Sequence, residues 1–273
     1  QASSLFMFLE GLLFLLISCC FSQIRALRSP QPRPGLKMAQ RFKNYFHSLK
    51  TLRNVYFAIR HGESQANVAQ IISSLPDSAS GFKHGLSDKG KAQAAVVHEE
   101  LFRQADFFGA PDTSEVVVYA SDFRRTLETA QGLANGLNSI SDGPEASPLA
   151  PCPSPALRER SFGSLNLKSD SHYASVWEAD ADPAGEWGEW GREADLGVEP
   201  VQSVQERATR FLVEEVERNH SGALVVLVAH GDILQILQTA FERVDPRTHR
   251  NLPHLNPCGV RSLVLKPLAP PEK

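Results

Sequence analysis

The sequence predicts a three-layer α/β/α fold, a mostly parallel central sheet with helices on both faces. Short apolar runs, "NVYFAI" (54–59), "EVVVYAS" (115–121) and "ALVVLVAH" (223–230), alternate with segments of helical spacing. A strand that is apolar on both sides of its pleat must be covered on both faces, as happens when helices cross between parallel strands. The chain has 273 residues, 42% hydrophobic and 22% charged, which fits one globular domain with a tail. No internal repeat is present.

Residues 1–53 read as an N-terminal extension, 54–267 as the folded domain and 268–273 as a tail. Within the extension, 5–21 are apolar except for Glu10, Gly11 and Ser18, and "RSPQPRPG" (28–35) is a proline-rich linker. The apolar run is short for a spanning helix, and the basic residues follow it, an order that keeps the downstream domain in the cytosol. A membrane anchor at 5–21, an organelle transit peptide and a start at Met38 all remain open, with a cytoplasmic catalytic domain expected. The first strand, 54–59, precedes a helix over 86–104 whose apolar face is expected to hold Ala92, Ala95, Val96 and Leu101 or Phe102. A second strand (115–121) leads into a helix over 122–137 and then a Pro- and Ser-rich loop (141–155). A helix over 203–219 is expected to open with a capping box of Ser203 and Glu206. The strand 223–230, a helix over 232–244 and a last strand in 259–266 complete the series.

The net charge of −3 conceals a split. Up to Asn54 there are eight basic residues and one acidic, leaving 20 basic against 30 acidic in the body. An acidic body excludes nucleic acid as the partner, because that affinity rests on neutralising phosphates. The sequence does not indicate an oligomeric state. The four cysteines, 19, 20, 152 and 258, contain no C-x-x-C pair, so neither a disulfide framework nor a zinc knuckle is expected. His249, His254 and Cys258 lie close in sequence but among prolines and without a fourth ligand, so no metal and no cofactor is expected.

In such a sheet, ligands bind beyond the carboxyl ends of the strands. The first strand ends in Arg60-His61-Gly62, the second in Ala120-Ser121 with Arg124 and Arg125 following, and the third in Ala229-His230-Gly231. Guanidinium forks match phosphate oxygens with paired donors, and a glycine after each histidine lets backbone approach a ligand. These strand ends form a cationic pocket for a phosphoryl group, with a histidine available as nucleophile.

"RHGESQAN" resembles the signature of the histidine phosphatase superfamily, in the branch that contains cofactor-dependent phosphoglycerate mutases and fructose-2,6-bisphosphatase. "LSDKGKAQA", "ASDFRRTLETA", "LRERSFG" and "LVAHGD" are similar to further blocks of that family, in the family's order. The resemblance implies a phosphoglycerate mutase-like fold. It also implies that His61 is the nucleophile that becomes phosphohistidine, that Arg60, Asn67, Arg125 and His230, with Gly231, hold the phosphate, and that Glu159 is the proton donor. The activity implied is metal-independent hydrolysis of a phosphomonoester, with a small phosphorylated metabolite as the partner. Phosphoglycerate mutase chemistry and a non-catalytic phospho-ligand module are the alternatives.

The segment 167–199 stands where mutases carry an inserted, basic lid. Here it holds all three tryptophans and nine acidic residues against Lys168 and Arg192. A lid of that charge is expected to grip a bisphosphate poorly, which favours hydrolysis over mutase turnover.

Overall fold

A computed structural model describes residues 42–107, 115–140, 148–181 and 196–269. Five strands, β1 (Val55–Arg60), β2 (Val116–Ala120), β3 (Cys152–Pro153), β4 (Leu224–Ala229) and β5 (Val260–Leu263), form one sheet in the order β3-β2-β4-β1-β5. Pairings β1–β4, β2–β4 and β2–β3 are parallel, and β5 alone runs antiparallel, on β1. The mostly parallel three-layer expectation holds.

Successive side chains of a strand alternate between faces, and the two cores follow that alternation. Tyr56, Ala58, Val225 and Leu227 pack with α5 (Val201–Phe211) and α6 (Gly231–Glu242). Phe57, Ile59, Val226 and Val228 pack under α2 (Asp88–Phe107) and α3 (Arg124–Ile140). Two shorter helices belong to the site: the single turn α1 (Gln65–Val68) and α4 (His172–Asp180). Packing reaches back beyond the boundary expected at 54, since Phe46 is fully buried and meets Phe241 edge-on at 5.0 Å. The apolar run 5–21, the linker 28–35 and residues 182–195 of the acidic segment lie outside the described residues, as do residues 270–273 of the tail. No helix among the described residues is long and apolar enough to cross a membrane.

Four local expectations are corrected. The buried face of α2 is Ala94, Val97 and Leu101, whereas Val96 and Phe102 are exposed. The run "AQAAVV" is apolar at too many consecutive positions to fix its own phase. Packing against α3 fixes it, with Gly132 and Gly136 letting the helices approach closely at Ala94 and His98. The helix α5 opens at Pro200, three residues earlier than expected, and Ser203 lies inside its first turn, donating to Glu199 (3.2 Å) instead of capping. A capping box does exist, at Ser64 and Asn67. Beyond Phe211 the helix widens into a π turn over Leu212–Val216 before one last turn. There Glu217 reaches inward to accept from the Tyr56 hydroxyl (2.6 Å) and the Asn54 amide (2.8 Å). Finally, the loop 141–155 contains β3, whose two residues are too few to leave a period-2 signal and whose proline is tolerated at a sheet edge.

Candidate active site

The register of the sheet assembles the site. Ala120 pairs with Val228, and Arg60 with Ala229, so the first residues past three adjacent strands are neighbours: Ser121, His230 and His61. The His61 N–H closes this edge on Ala229 O (3.0 Å), and the Ser121 N–H on Val228 O (3.0 Å). A cavity of about 200 Å³ opens there, and its wall includes Arg60, His61, Asn67, Arg125, Glu159 and Gly231. His230 is absent from that wall. It backs His61, ring centroids 5.2 Å apart, and its Nε2 meets Ser121 Oγ at 2.8 Å.

His61 is buried, and its two ring nitrogens have different partners. Nδ1 faces the Gly62 carbonyl (2.7 Å) and must donate to it, while Nε2 accepts from Arg125 Nε (3.1 Å). A donor on one side and an acceptor on the other fix the neutral tautomer with the lone pair on Nε2. Burial, followed by the Arg125 and Arg60 charges, drives its pKa well below the usual 6.5 against the pull of the Gly62 carbonyl. His230 is lowered for the same reasons, burial first and Arg125 next.

Arg125 is buried and held by Ser73, donating to its carbonyl (2.9 Å) and to Oγ (3.4 Å). Burial lowers its pKa to about 10, still leaving it charged at neutral pH. Arg60 is fixed by Nη1 donation to His254 Nε2 (2.7 Å) and to Leu255 O (3.0 Å). Burial, then Arg60 and Arg250, bring His254 to about 4, so it stays a neutral acceptor. Gly231 preserves this pair: a Cβ there would lie 3.1 Å from His254 and 3.5 Å from the Arg60 guanidinium. Gly62 serves otherwise than expected. Its N–H is taken by Thr129 Oγ1 (3.0 Å), and its lack of a Cβ admits the backbone of Gly90, whose O would be 2.7 Å away. Asn67 accepts through Oδ1 from the Ser64 N–H and hydroxyl, which orients its amide at the cavity wall.

Glu159 Oε1 accepts from the backbone N–H of Arg160 (3.0 Å) and of Ile233 (3.1 Å), which pins the carboxyl at the cavity. Burial and then the neighbouring Asp232 raise its pKa, outweighing Arg125 and those two amides. Asp232 itself is held low: burial pushes it up, but His249, Arg160 and Arg250 pull it further down. Two like groups thus have opposite protonation preferences side by side, the pattern of an acid poised next to a fixed anion. Asp232 also accepts from Trp177 Nε1 (2.9 Å), and fully buried Arg160 donates to Asp180 through Nη1 and Nη2 (2.6 and 2.9 Å). Both contacts fasten α4 over the site.

Sequence reasoning missed Ser73, Ser121, Asp232, Tyr173 and the use of His254. Ser121 stood inside a quoted block without a role. Ser73 and Tyr173 lie in segments whose placement no local pattern announces. The His249, His254 and Cys258 side chains have separate surroundings: Asp232 for His249 (3.3 Å) and Arg60 for His254. Burial pushes the Cys258 thiol up to about 12, against the thiolate a metal requires. No group of three potential metal ligands occurs among the described residues.

Comparison with known proteins bears on the family and the fold. A metal-independent phosphoserine phosphatase of Arabidopsis thaliana is 26% identical over 185 residues, 66% of this chain. The chain spans 65% of the length of that curated relative. Among solved structures, a mycobacterial glucosyl-3-phosphoglycerate phosphatase superposes with a TM-score of 0.54 at 21% identity, over 76% of this chain and 91% of the other. The alpha-ribazole phosphatase of Shigella flexneri gives 0.53 at 21% identity, over 76% and 89%. At that identity the likeness concerns the fold, a phosphoglycerate mutase-like one. The sequence profile described as the histidine phosphatase superfamily (branch 1) matches residues 56–269, and the chain belongs to that superfamily.

Proposed function

We propose that the chain is a phosphomonoester hydrolase that works without a metal, through a phosphohistidine on His61, on a small phosphorylated metabolite. The observation that carries this reading is the fixed tautomer of His61, with its lone pair directed at the Arg125 side of the cavity. In the first step Nε2 forms a bond to phosphorus while the bond to the ester oxygen breaks in line. The raised carboxyl of Glu159 gives its proton to the departing alkoxide. Arg60 and Arg125 balance charge on the phosphoryl oxygens, and His230 steadies His61 from behind. In the second step Glu159, now ionised, takes a proton from water as that water attacks phosphorus. The P–N bond breaks and inorganic phosphate leaves. The small cavity favours a metabolite over a folded phosphoprotein, and the Arabidopsis relative is named for phosphoserine.

Asp170 on the cavity wall weighs against a bisphosphate intermediate, which mutase turnover requires. Alkaline-quenched reaction with a ³²P-labelled substrate is expected to trap label on His61, lost in His61→Ala; label on Ser64, or on no residue, refutes the mechanism. Phosphate release should exceed interconversion of 2- and 3-phosphoglycerate, even with 2,3-bisphosphoglycerate added. The reverse order would favour the mutase and leave His61 and Glu159 in their roles.

A further inference from the structure

Tyr173 projects from α4 into the same cavity, and no motif marks it. Its ring is stacked on Trp177 (centroids 5.2 Å apart, 5° between planes) and meets Phe162 edge-on at 4.8 Å. Trp177 is in turn fixed by Asp232 through its N–H and by the Arg250 guanidinium, which lies 3.6 Å from its ring centroid. The end of α4 is tied by the buried Arg160–Asp180 pair. The phenol is therefore held by packing on both sides, with its position set before any ligand arrives.

Tyr173 is half-buried, and its hydroxyl makes no hydrogen bond to the described residues, which leaves the O–H free to donate to a ligand in the cavity. The phenol is kept protonated: burial raises its pKa, then Glu159 and Asp232, while Arg125 and Arg60 act the other way more weakly. A donor O–H thus shares the cavity wall with Glu159, the residue proposed to protonate the leaving group, and with Arg60 and Arg125.

We infer that Tyr173 is a substrate-contacting residue whose hydroxyl donates to an oxygen on the leaving group. It would select phosphomonoesters of polar alcohols, with a hydroxyl or carboxylate oxygen near the ester, over apolar or aryl phosphates. This inference rests on the phosphatase reading for its catalytic form. Once a ligand fills the cavity and shuts out water, a donor facing it penalises a ligand that cannot accept from it.

The test compares O-phospho-L-serine with phenyl phosphate, using wild type and Tyr173→Phe, which retains the ring and its stack. Wild type should show the higher kcat/KM for phosphoserine, and the phenylalanine variant should lower the ratio of the two constants about tenfold, the worth of one good hydrogen bond. No preference in wild type, or a ratio within twofold of wild type in the variant, overturns the assignment. So does an equal fall for both probes, because that is what a merely structural role would give. Affinities of the two probes are measured in parallel in Glu159→Gln, with and without Tyr173→Phe. Should wild type release phosphate from neither probe, the phosphatase reading fails. The affinity ratio then still decides Tyr173: a tenfold fall supports it, and an unchanged ratio overturns it.

Discussion

At the level of single residues, the chemistry is set by how burial and charge divide protons between His61, Glu159 and Asp232. An imidazole must be neutral to attack, and His61 lies well below 6.5. The acidic limb of kcat/KM should therefore fall far below pH 6.5, not at it. In an NMR titration, Arg125→Met should move the His61 pKa upward, because the nearest like charge has gone; an unmoved value would remove Arg125 as a cause. In the proposed mechanism the basic limb reports Glu159, which must be protonated in the first step. Its raised pKa is owed to burial and to Asp232, so Asp232→Asn should shift that limb to lower pH. The residues proposed to bear on phosphate were legible in the sequence, because strand-end motifs carry them. Asp232 was visible only as part of "HGD". Its effect on Glu159 depends on Arg160 and His249, which reach it from other parts of the chain. Counting nine acidic residues in 167–199 also overstated free charge, since Asp180 is bound by Arg160 and Glu199 by Arg207.

At the level of elements, strands were legible and helix phases less so. β1, β2 and β4 announce themselves because burial on both faces demands an unbroken apolar run. The phase of α2 was read wrongly because its apolar residues are contiguous, and only contact with α3 chooses among them. That contact allows a test with a definite sign. In an open helix, Gly132→Ala would stabilise by about 1 kcal/mol. Here the added Cβ would lie 2.8 Å from Ala94 O and 3.0 Å from Ala94 Cβ, and an opposing backbone cannot step aside cheaply. We expect a net destabilisation of about 1–3 kcal/mol, as for overpacked cores. A rise in thermal midpoint would show that the two helices can separate without cost.

For the whole molecule, the proposed reaction draws its positive charge from arginines, where other phosphoryl-transfer sites use a metal. Activity should survive EDTA nearly unchanged, measured as phosphate release; loss restored by Zn²⁺ would reopen the His249, His254 and Cys258 reading. Stability should also depend on pH through the same buried rings. Below pH 6.5 the unfolded chain protonates His61 and His230 while the folded chain resists, so the unfolded state binds more protons. Stability should then decline as pH falls through 6.5 and below. Urea midpoints at pH 7.5 and 5.5 measure this, and equal midpoints would contradict it.

The pairing of β1 with β4 has a bearing on synthesis. Val55 sits against Leu224 and Arg60 against Ala229, so the central seam joins the start of the domain to a segment near its end. During vectorial translation, the strand that ends at His61 emerges before β4 and can close this seam only after residue 229 has left the ribosome. Until then β1, apolar on both faces, has neither its β4 nor its β5 neighbour and is a natural client for chaperones. A premature stop anywhere before β4 therefore removes more than the residues it deletes, since it leaves an intact Arg60-His61-Gly62 motif on a strand with no sheet to join.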